Sequence, residues 1–67
     1  MNKKQLIALF EAMEDNTRTC AEYYESADNH DAGVRSRGVM SAYGTIIMAL
    51  KSPKFAKELA EIYEVAI

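Results

Sequence analysis

KKQLIALFEAMEDNTRTCAEYYESAD, residues 3–28, is the stretch that decides the fold of this chain. Its apolar or small residues recur at alternating intervals of four and three, which places them on one face of an α-helix. This first stripe consists of Leu6, Phe10, Met13, Thr17, Cys20, Tyr24 and Ala27. The spacing predicts one long helix over about 3–28, roughly 39 Å in length at 1.5 Å per residue.

The weak point of this helix is the run Asp15-Asn16-Thr17, where three poor helix formers stand together. Thr19 followed by Glu22 offers an alternative, because this pair matches a capping box that would open a second helix. The first stripe runs through this region without losing phase. We therefore expect one continuous helix.

Residues 28–31, Asp-Asn-His-Asp, are typical of a turn and contain no apolar residue. A second helix is predicted over about 32–51, with Asp31 or Ser36 as its N-cap. Its second stripe has 4, 3, 4 spacing and consists of Val39, Tyr43, Ile46 and Leu50. Ser52-Pro53 combines a preferred N-cap with a preferred first residue, so it predicts a third helix over about 53–66. That helix carries its apolar side chains at Phe55, Leu59, Ile62 and Ala66.

Short turns make neighbouring helices antiparallel, so we predict an all-α, up-down-up three-helix unit with one domain over 1–67. The third helix, about 14 residues against about 26 in the first, would cover only around half of the first helix. A partner chain is expected to cover the rest, which makes the protein a helical-bundle oligomer. Small residues in the second helix allow another helix to approach closely. The predicted oligomer interface consists of Cys20, Tyr23, Tyr24, Ala27, Gly38, Ala42 and Thr45.

Composition excludes several classes of protein. The chain has 67 residues, 49% of them apolar, and a net charge of −2, which is not the profile of a disordered chain. No apolar run approaches a membrane span and no signal peptide stands at the start, so we expect no membrane association and a cytoplasmic location. A single cysteine cannot form the intrachain disulfide bonds that stabilise many small secreted folds. A domain this small is marginally stable alone, which again favours self-association.

Charge placement is more informative than net charge. In an up-down-up bundle the ends carrying the lysines meet at one pole, and acidic residues collect at the other. Basic residues at a helix N-terminus oppose the macrodipole, so helix stability does not explain this layout. The predicted contacts to an anionic ligand or partner are Lys3, Lys4, Lys51, Lys54, Lys57, Arg35 and Arg37. Three alternatives stay open: contact between the poles of neighbouring subunits, pairing of the arginines with nearby acidic residues, and plain solvation.

The sequence contains no recognisable arrangement of catalytic residues. Cys20 lies in the first stripe, where a cysteine behaves as a small buried apolar residue, and His30 is ten residues away in the turn. One histidine near two carboxylates is a weak metal signal. We therefore expect no enzymatic activity, no metal and no cofactor.

A 67-residue helical chain that begins with Met and lacks enzymatic residues resembles the small accessory proteins encoded by bacteriophages and other mobile elements. The resemblance rests on general character and implies stoichiometric binding, either inhibition of a host or defence protein or sequestration of an anionic nucleotide. The first alternative is a small DNA-binding transcriptional regulator, which the acidic pI near 5.2 disfavours. The second is a structural or assembly module.

Overall fold

Three helices make up the fold in the computed structural model, which describes residues 1–66. They are α1 (Lys3–Ser26), α2 (His30–Lys51) and α3 (Pro53–Ile62), and no strand occurs in this part of the chain. The all-α fold class is confirmed.

α1 is continuous through the weak point predicted at Asp15-Asn16-Thr17. The hydroxyl of Thr17 donates to the carbonyl of Met13 at 2.8 Å, and that of Thr19 donates to the carbonyl of Asp15 at 3.2 Å. Both threonines thus bond back along the same helix, and no second helix opens at Thr19.

The N-terminus of α1 has a cap that the sequence reading missed. The side chain of Asn2 accepts a hydrogen bond from the backbone N–H of Gln5 at 2.8 Å. The side chain of Gln5 accepts from the backbone N–H of Asn2 at 2.9 Å, which completes a capping box.

α1 ends at Ser26, two residues before the predicted end. Asp28 adopts the left-handed conformation with φ 61°, which stops the helix. The N–H of Asn29 donates to the carbonyl of Tyr24 at 2.8 Å, and the N–H of Asp28 donates to that of Glu25 at 3.2 Å. These two bonds form a Schellman motif with a non-glycine residue in its left-handed position.

α2 begins at His30, earlier than predicted, because Asn29 is its N-cap. The Asn29 side chain accepts a hydrogen bond from the N–H of Ala32 at 3.3 Å. The predicted N-caps Asp31 and Ser36 are therefore wrong, and Asp31 lies inside the first turn.

The start of α3 is as predicted, with the hydroxyl of Ser52 accepting a hydrogen bond from the N–H of Phe55 at 3.2 Å. Its end is not. α3 stops at Ile62, four residues early, because Glu64 adopts a φ of 57° and the N–H of Val65 donates to the carbonyl of Ala60 at 2.8 Å. This is a second Schellman motif.

α1 and α2 form an antiparallel hairpin. Glu25, near the end of α1, pairs with Arg37 near the start of α2, and Glu11 pairs with Lys51 at the opposite end. The seam between these helices buries the small residues Ala21, Ala32 and Gly33.

The predicted coverage of α1 by the third helix is wrong. α3 packs against α2, and no Cα atom of α3 lies within 8 Å of one in α1. α3 has only 10 residues, and it follows α2 after the single residue Ser52 in an extended conformation. Of the two other helices, only α2 therefore packs against α1.

The described chain has the dimensions of a thin layer, 42 × 26 × 14 Å. Its radius of gyration is 14.2 Å, whereas a compact domain of this length has about 11 Å. Its accessible surface is 5124 Å², against about 4,200 Å² for a compact monomer of this mass. Among residues 1–66 no large side chain is fully buried. The buried apolar residues in this part of the chain are Ala21, Ala32 and Ile47, so only one large side chain contributes to the core.

Candidate assembly surface

The α1–α2 hairpin has one apolar face, to which both helices contribute. The rings of Phe10 and Tyr43 lie there with their centroids 6.0 Å apart. At about 100° per residue, the two stripes lie on this same side of their helices. We define the apolar face as Leu6, Phe10, Met13, Thr17, Cys20 and Tyr24 of α1 with Val39, Tyr43, Ile46 and Leu50 of α2.

A groove of about 340 Å³ runs across the apolar face near the turn. Both helices line it, which shows independently that their stripes share one side of the hairpin. Its lining residues are Thr17, Cys20, Tyr24, Ala32, Arg35, Ser36 and Val39.

The first stripe points away from the seam by roughly a quarter turn of α1. The seam follows Glu14, Ala21 and Glu25 instead, and only Ala21 of α1 is fully buried. This explains why Cys20 is exposed, which corrects the expectation of a buried cysteine. The stripe spacing predicted the helix correctly, but it did not indicate which side α2 would cover.

The predicted oligomer-interface residues do not form one surface in the monomer. Cys20 and Tyr24 lie on the apolar face. Tyr23 is 68% exposed on the side of α1 opposite the seam, although its ring contacts that of Tyr24 edge-on with centroids 5.6 Å apart. Ala27 is exposed at the C-cap of α1.

The predicted small-residue stripe of α2 lies on the side facing away from α1. Gly38, Ala42 and Thr45 are exposed, and within the described chain no contacting atom lies within 4 Å of a Cβ built on Gly38. The glycines at the seam are instead Gly33 and Gly44. The side chains of Glu25 and Glu14 cross them, with the Glu25 Cγ 3.2 Å and the Glu14 Oε2 3.0 Å from the respective Cβ positions.

The opposite face of the hairpin is polar. Arg37 donates from Nε to Glu25 Oε2 at 3.0 Å and from Nη2 to Glu25 Oε1 at 2.7 Å. These hydrogen bonds lower the pKa of Glu25 below its ordinary value of 4.5, with the positive charge of Arg37 adding to the effect. Pairing of Arg37 with a nearby acidic residue, one of the alternatives to an anion site, is confirmed.

The other predicted anion contacts are divided among the helices. Lys51 pairs with Glu11 at 3.6 Å, and Lys3 and Lys4 lie about two turns farther along α1. Ion pairs within residues 1–66 leave several predicted cations unpaired, namely Lys3, Lys4, Lys54, Lys57 and Arg35.

Arg18 pairs with acidic residues of its own helix. It pairs with Glu14 at 3.8 Å and donates a hydrogen bond to Asp15 at 3.1 Å.

A second cavity, of about 400 Å³, lies beside the turn on the polar face and is lined in part by Asp28, His30 and Val34. Within residues 1–66, no three His, Cys, Asp or Glu side chains are arranged to hold a metal ion. No helix in this part of the chain has the length and apolar character needed to cross a membrane.

Comparison with known proteins adds no relative: no protein-family model, no curated protein and no solved structure matches this chain.

Proposed function

We propose that this chain is a non-enzymatic binding protein whose working form is an assembly of its own copies, joined through the apolar face. One observation carries the proposal. The hairpin presents two apolar stripes side by side, in which Cys20, Val39 and Ile46 are exposed and the other side chains are half-buried, while the described monomer buries no large side chain completely. Covering such a face is the most direct way for a small helical chain to gain a core.

The apolar face supplies about half of one partner's share of a standard protein–protein interface. α1 is about 36 Å long at 1.5 Å per residue, and two adjacent helices are about 20 Å wide. The residues of the face span about 27 Å of α1 and about 17 Å of α2, so at about 10 Å per helix the face covers about 440 Å², against the roughly 800 Å² that each partner contributes to a standard interface. Exposed apolar patches of this size on small proteins mark interaction sites.

Solution mass tests the assembly. Light scattering over a concentration series should give a multiple of 7.5 kDa. Met13→Glu places a charge on the apolar face and should shift the mass towards the monomer. The adjacent change Ala12→Glu is a matched control, because Ala12 is exposed and outside the apolar face. A wild-type mass of one chain at millimolar concentration would refute the proposal, and so would equal effects of the two variants.

For the assembled protein we propose stoichiometric binding of an anionic partner, the role implied by the resemblance to bacteriophage accessory proteins. The unpaired Arg35 supports this role, because it lines the groove together with Tyr24 and Ser36. A planar guanidinium matches carboxylate or phosphate in geometry. Lys54 and Lys57 of α3 supply further unpaired positive charge.

Calorimetric titration with linear and cyclic nucleotides distinguishes the two kinds of anion. Heat that Arg35→Gln abolishes would identify a nucleotide ligand. Absence of heat with every nucleotide would refute sequestration, and pull-down of an acidic bacterial protein, lost in the same variant, would then identify a protein target. The DNA-binding alternative requires duplex binding at low salt that weakens steeply as salt is added. Retardation of DNA with that salt dependence would replace the proposed anion with nucleic acid.

A further inference from the structure

The spacing of the first stripe has a symmetry of its own. From Leu6 to Tyr24 the intervals are 4, 3, 4, 3, 4, so the stripe reads the same from either end and is centred on Asp15. The second stripe, with intervals 4, 3, 4, is also symmetric and is centred between Gly44 and Thr45.

The hairpin brings these two centres to nearly the same height. Glu14 crosses Gly44, with its Oε2 3.0 Å from the Cβ position of that glycine. Asp15 is therefore level with Tyr43, so the two centres differ in height by about 1.5 residues, or about 2 Å. A twofold axis midway between these heights, lying between two hairpins and perpendicular to their helices, reverses each stripe onto itself to within about 2 Å.

We propose that a second copy of this chain covers the apolar face in the reversed direction, with α1 against the partner's α1 and α2 against the partner's α2. This deepens the self-association proposed above and rests on it. Each copy then supplies one layer of two antiparallel helices. The two layers form a four-helix arrangement in which each helix is antiparallel to its neighbour in the same layer and to the helix it faces in the other layer.

The side chains that this register brings to nearly the same height fit by size. Phe10 lies level with the partner's Cys20, and Met13 lies level with the partner's Thr17, so a large residue meets a smaller one in each case. Alternation of large and small residues across a helix interface lets the two layers interdigitate. In α2, Tyr43 lies level with the partner's Ile46.

Charge favours the reversed direction over the same direction. The turn end of the hairpin is net acidic and the open end is net basic. The turn end carries Glu22, Glu25, Asp28 and Asp31 against Arg35 and Arg37, and the open end carries Lys3, Lys4 and Lys51 against Glu11. Reversal stacks the acidic end of one copy on the basic end of the other. Stacking in the same direction brings like charges together at both ends, which opposes association.

A distance measurement between spin labels tests the direction. Lys4→Cys in a Cys20→Ala background carries one nitroxide per chain at an exposed position outside the apolar face. In the reversed dimer the two labelled residues are about 22 positions apart in height, about 33 Å along the helices. In a same-direction dimer they are at one height, within about 20 Å across the bundle. A double electron–electron resonance distance near 33 Å or slightly longer is expected.

A mixed sample gives the complementary distance. Ser26→Cys, also at an exposed position, lies nearly level with the partner's Lys4 in the reversed dimer. Mixing chains labelled at Lys4→Cys with chains labelled at Ser26→Cys should add a short distance that neither sample shows alone. Light scattering of each labelled variant confirms that it still assembles.

The outcomes separate the two proposals. Assembled protein with a short Lys4→Cys distance, or with no added short distance in the mixture, refutes the reversed direction and leaves self-association standing. A single-chain mass for both the wild type and the labelled variants refutes both.

Discussion

Arg37 and Glu25 form the one two-point contact between side chains of different helices in the described residues, with N···O distances of 3.0 Å and 2.7 Å. The pair joins the last turn of α1 to the second turn of α2 and lies directly beside Gly33. Because a guanidinium fork and a carboxylate match in geometry, this contact fixes how the hairpin closes at its turn.

The Arg37–Glu25 pair should make stability depend on acid pH. The pKa of Glu25 is lower in the fold than its ordinary value of 4.5, so the contribution of this carboxylate is complete above about pH 4.5 and is lost as pH falls through the lowered pKa. Arg37→Gln should flatten the loss of stability below pH 4.5, measured by urea unfolding. Arg18→Gln is the control, since it removes a pair within α1 and leaves Glu25 unchanged. An unaltered pH profile in Arg37→Gln would contradict this assignment.

Gly38 and Gly33 of α2 should respond differently to replacement by alanine. Gly38→Ala should raise the free energy of unfolding by about 0.5–1 kcal/mol, because its position is open and alanine favours the helix. Gly33→Ala should raise the free energy of unfolding by less than Gly38→Ala does, or should lower it. The reason is that the new Cβ would meet the Glu25 Cγ at 3.2 Å while Arg37 holds that side chain. Chemical denaturation at one fixed protein concentration compares the two, and equal gains would show that Glu25 moves freely.

Ser52 should be the residue that holds the start of α3. Ser52→Ala removes the acceptor for the Phe55 N–H and should cost about 1 kcal/mol, with partial loss of helical circular dichroism. Ser41→Ala is the matched control, since Ser41 is exposed within α2 and its hydroxyl makes no hydrogen bond in the described chain. Equal losses from the two variants would show that the Ser52 cap contributes nothing.

Replacement of Asp28 by glycine should stabilise the fold. Its φ of 61° lies in the left-handed region, which costs an L-residue about 1 kcal/mol and glycine little. Asp28→Gly should therefore raise the melting temperature and Asp28→Val should lower it. If the valine variant melts like the wild type, Asp28 does not hold this conformation.

Charge reversal at the start of α1 separates helix stability from association. Lys3 and Lys4 oppose the helix dipole, so Lys3→Glu with Lys4→Glu should improve the isolated helix by about 0.3–1 kcal/mol per residue. The same variant should weaken the reversed dimer, because the partner's acidic turn faces this end. Helicity at high dilution and the dissociation constant from light scattering should thus change in opposite senses. Tighter association in the variant would contradict the proposed contact between the basic end of one copy and the acidic end of the other.

Most of the local structure could be predicted from the residues. The 4–3 spacing predicted α1 as one helix, and Ser52-Pro53 predicted the start of α3. The helix ends were less predictable, because Asp28 and Glu64 stop their helices in a conformation usually taken by glycine. The capping box of Asn2 and Gln5 has a pattern that the sequence itself displays, a polar N-cap residue with Gln three positions later.

The sequence by itself determined the three helices, because periodicity, caps and prolines act within a few residues of the chain. Only the tertiary structure decided which side of each helix is covered. Gly33, Gly44 and Ala21 let the backbones of α1 and α2 approach along a line that the apolar spacing does not mark. Because the backbones approach at these small residues and not along the stripes, the apolar face lies beside the seam and is left outside it.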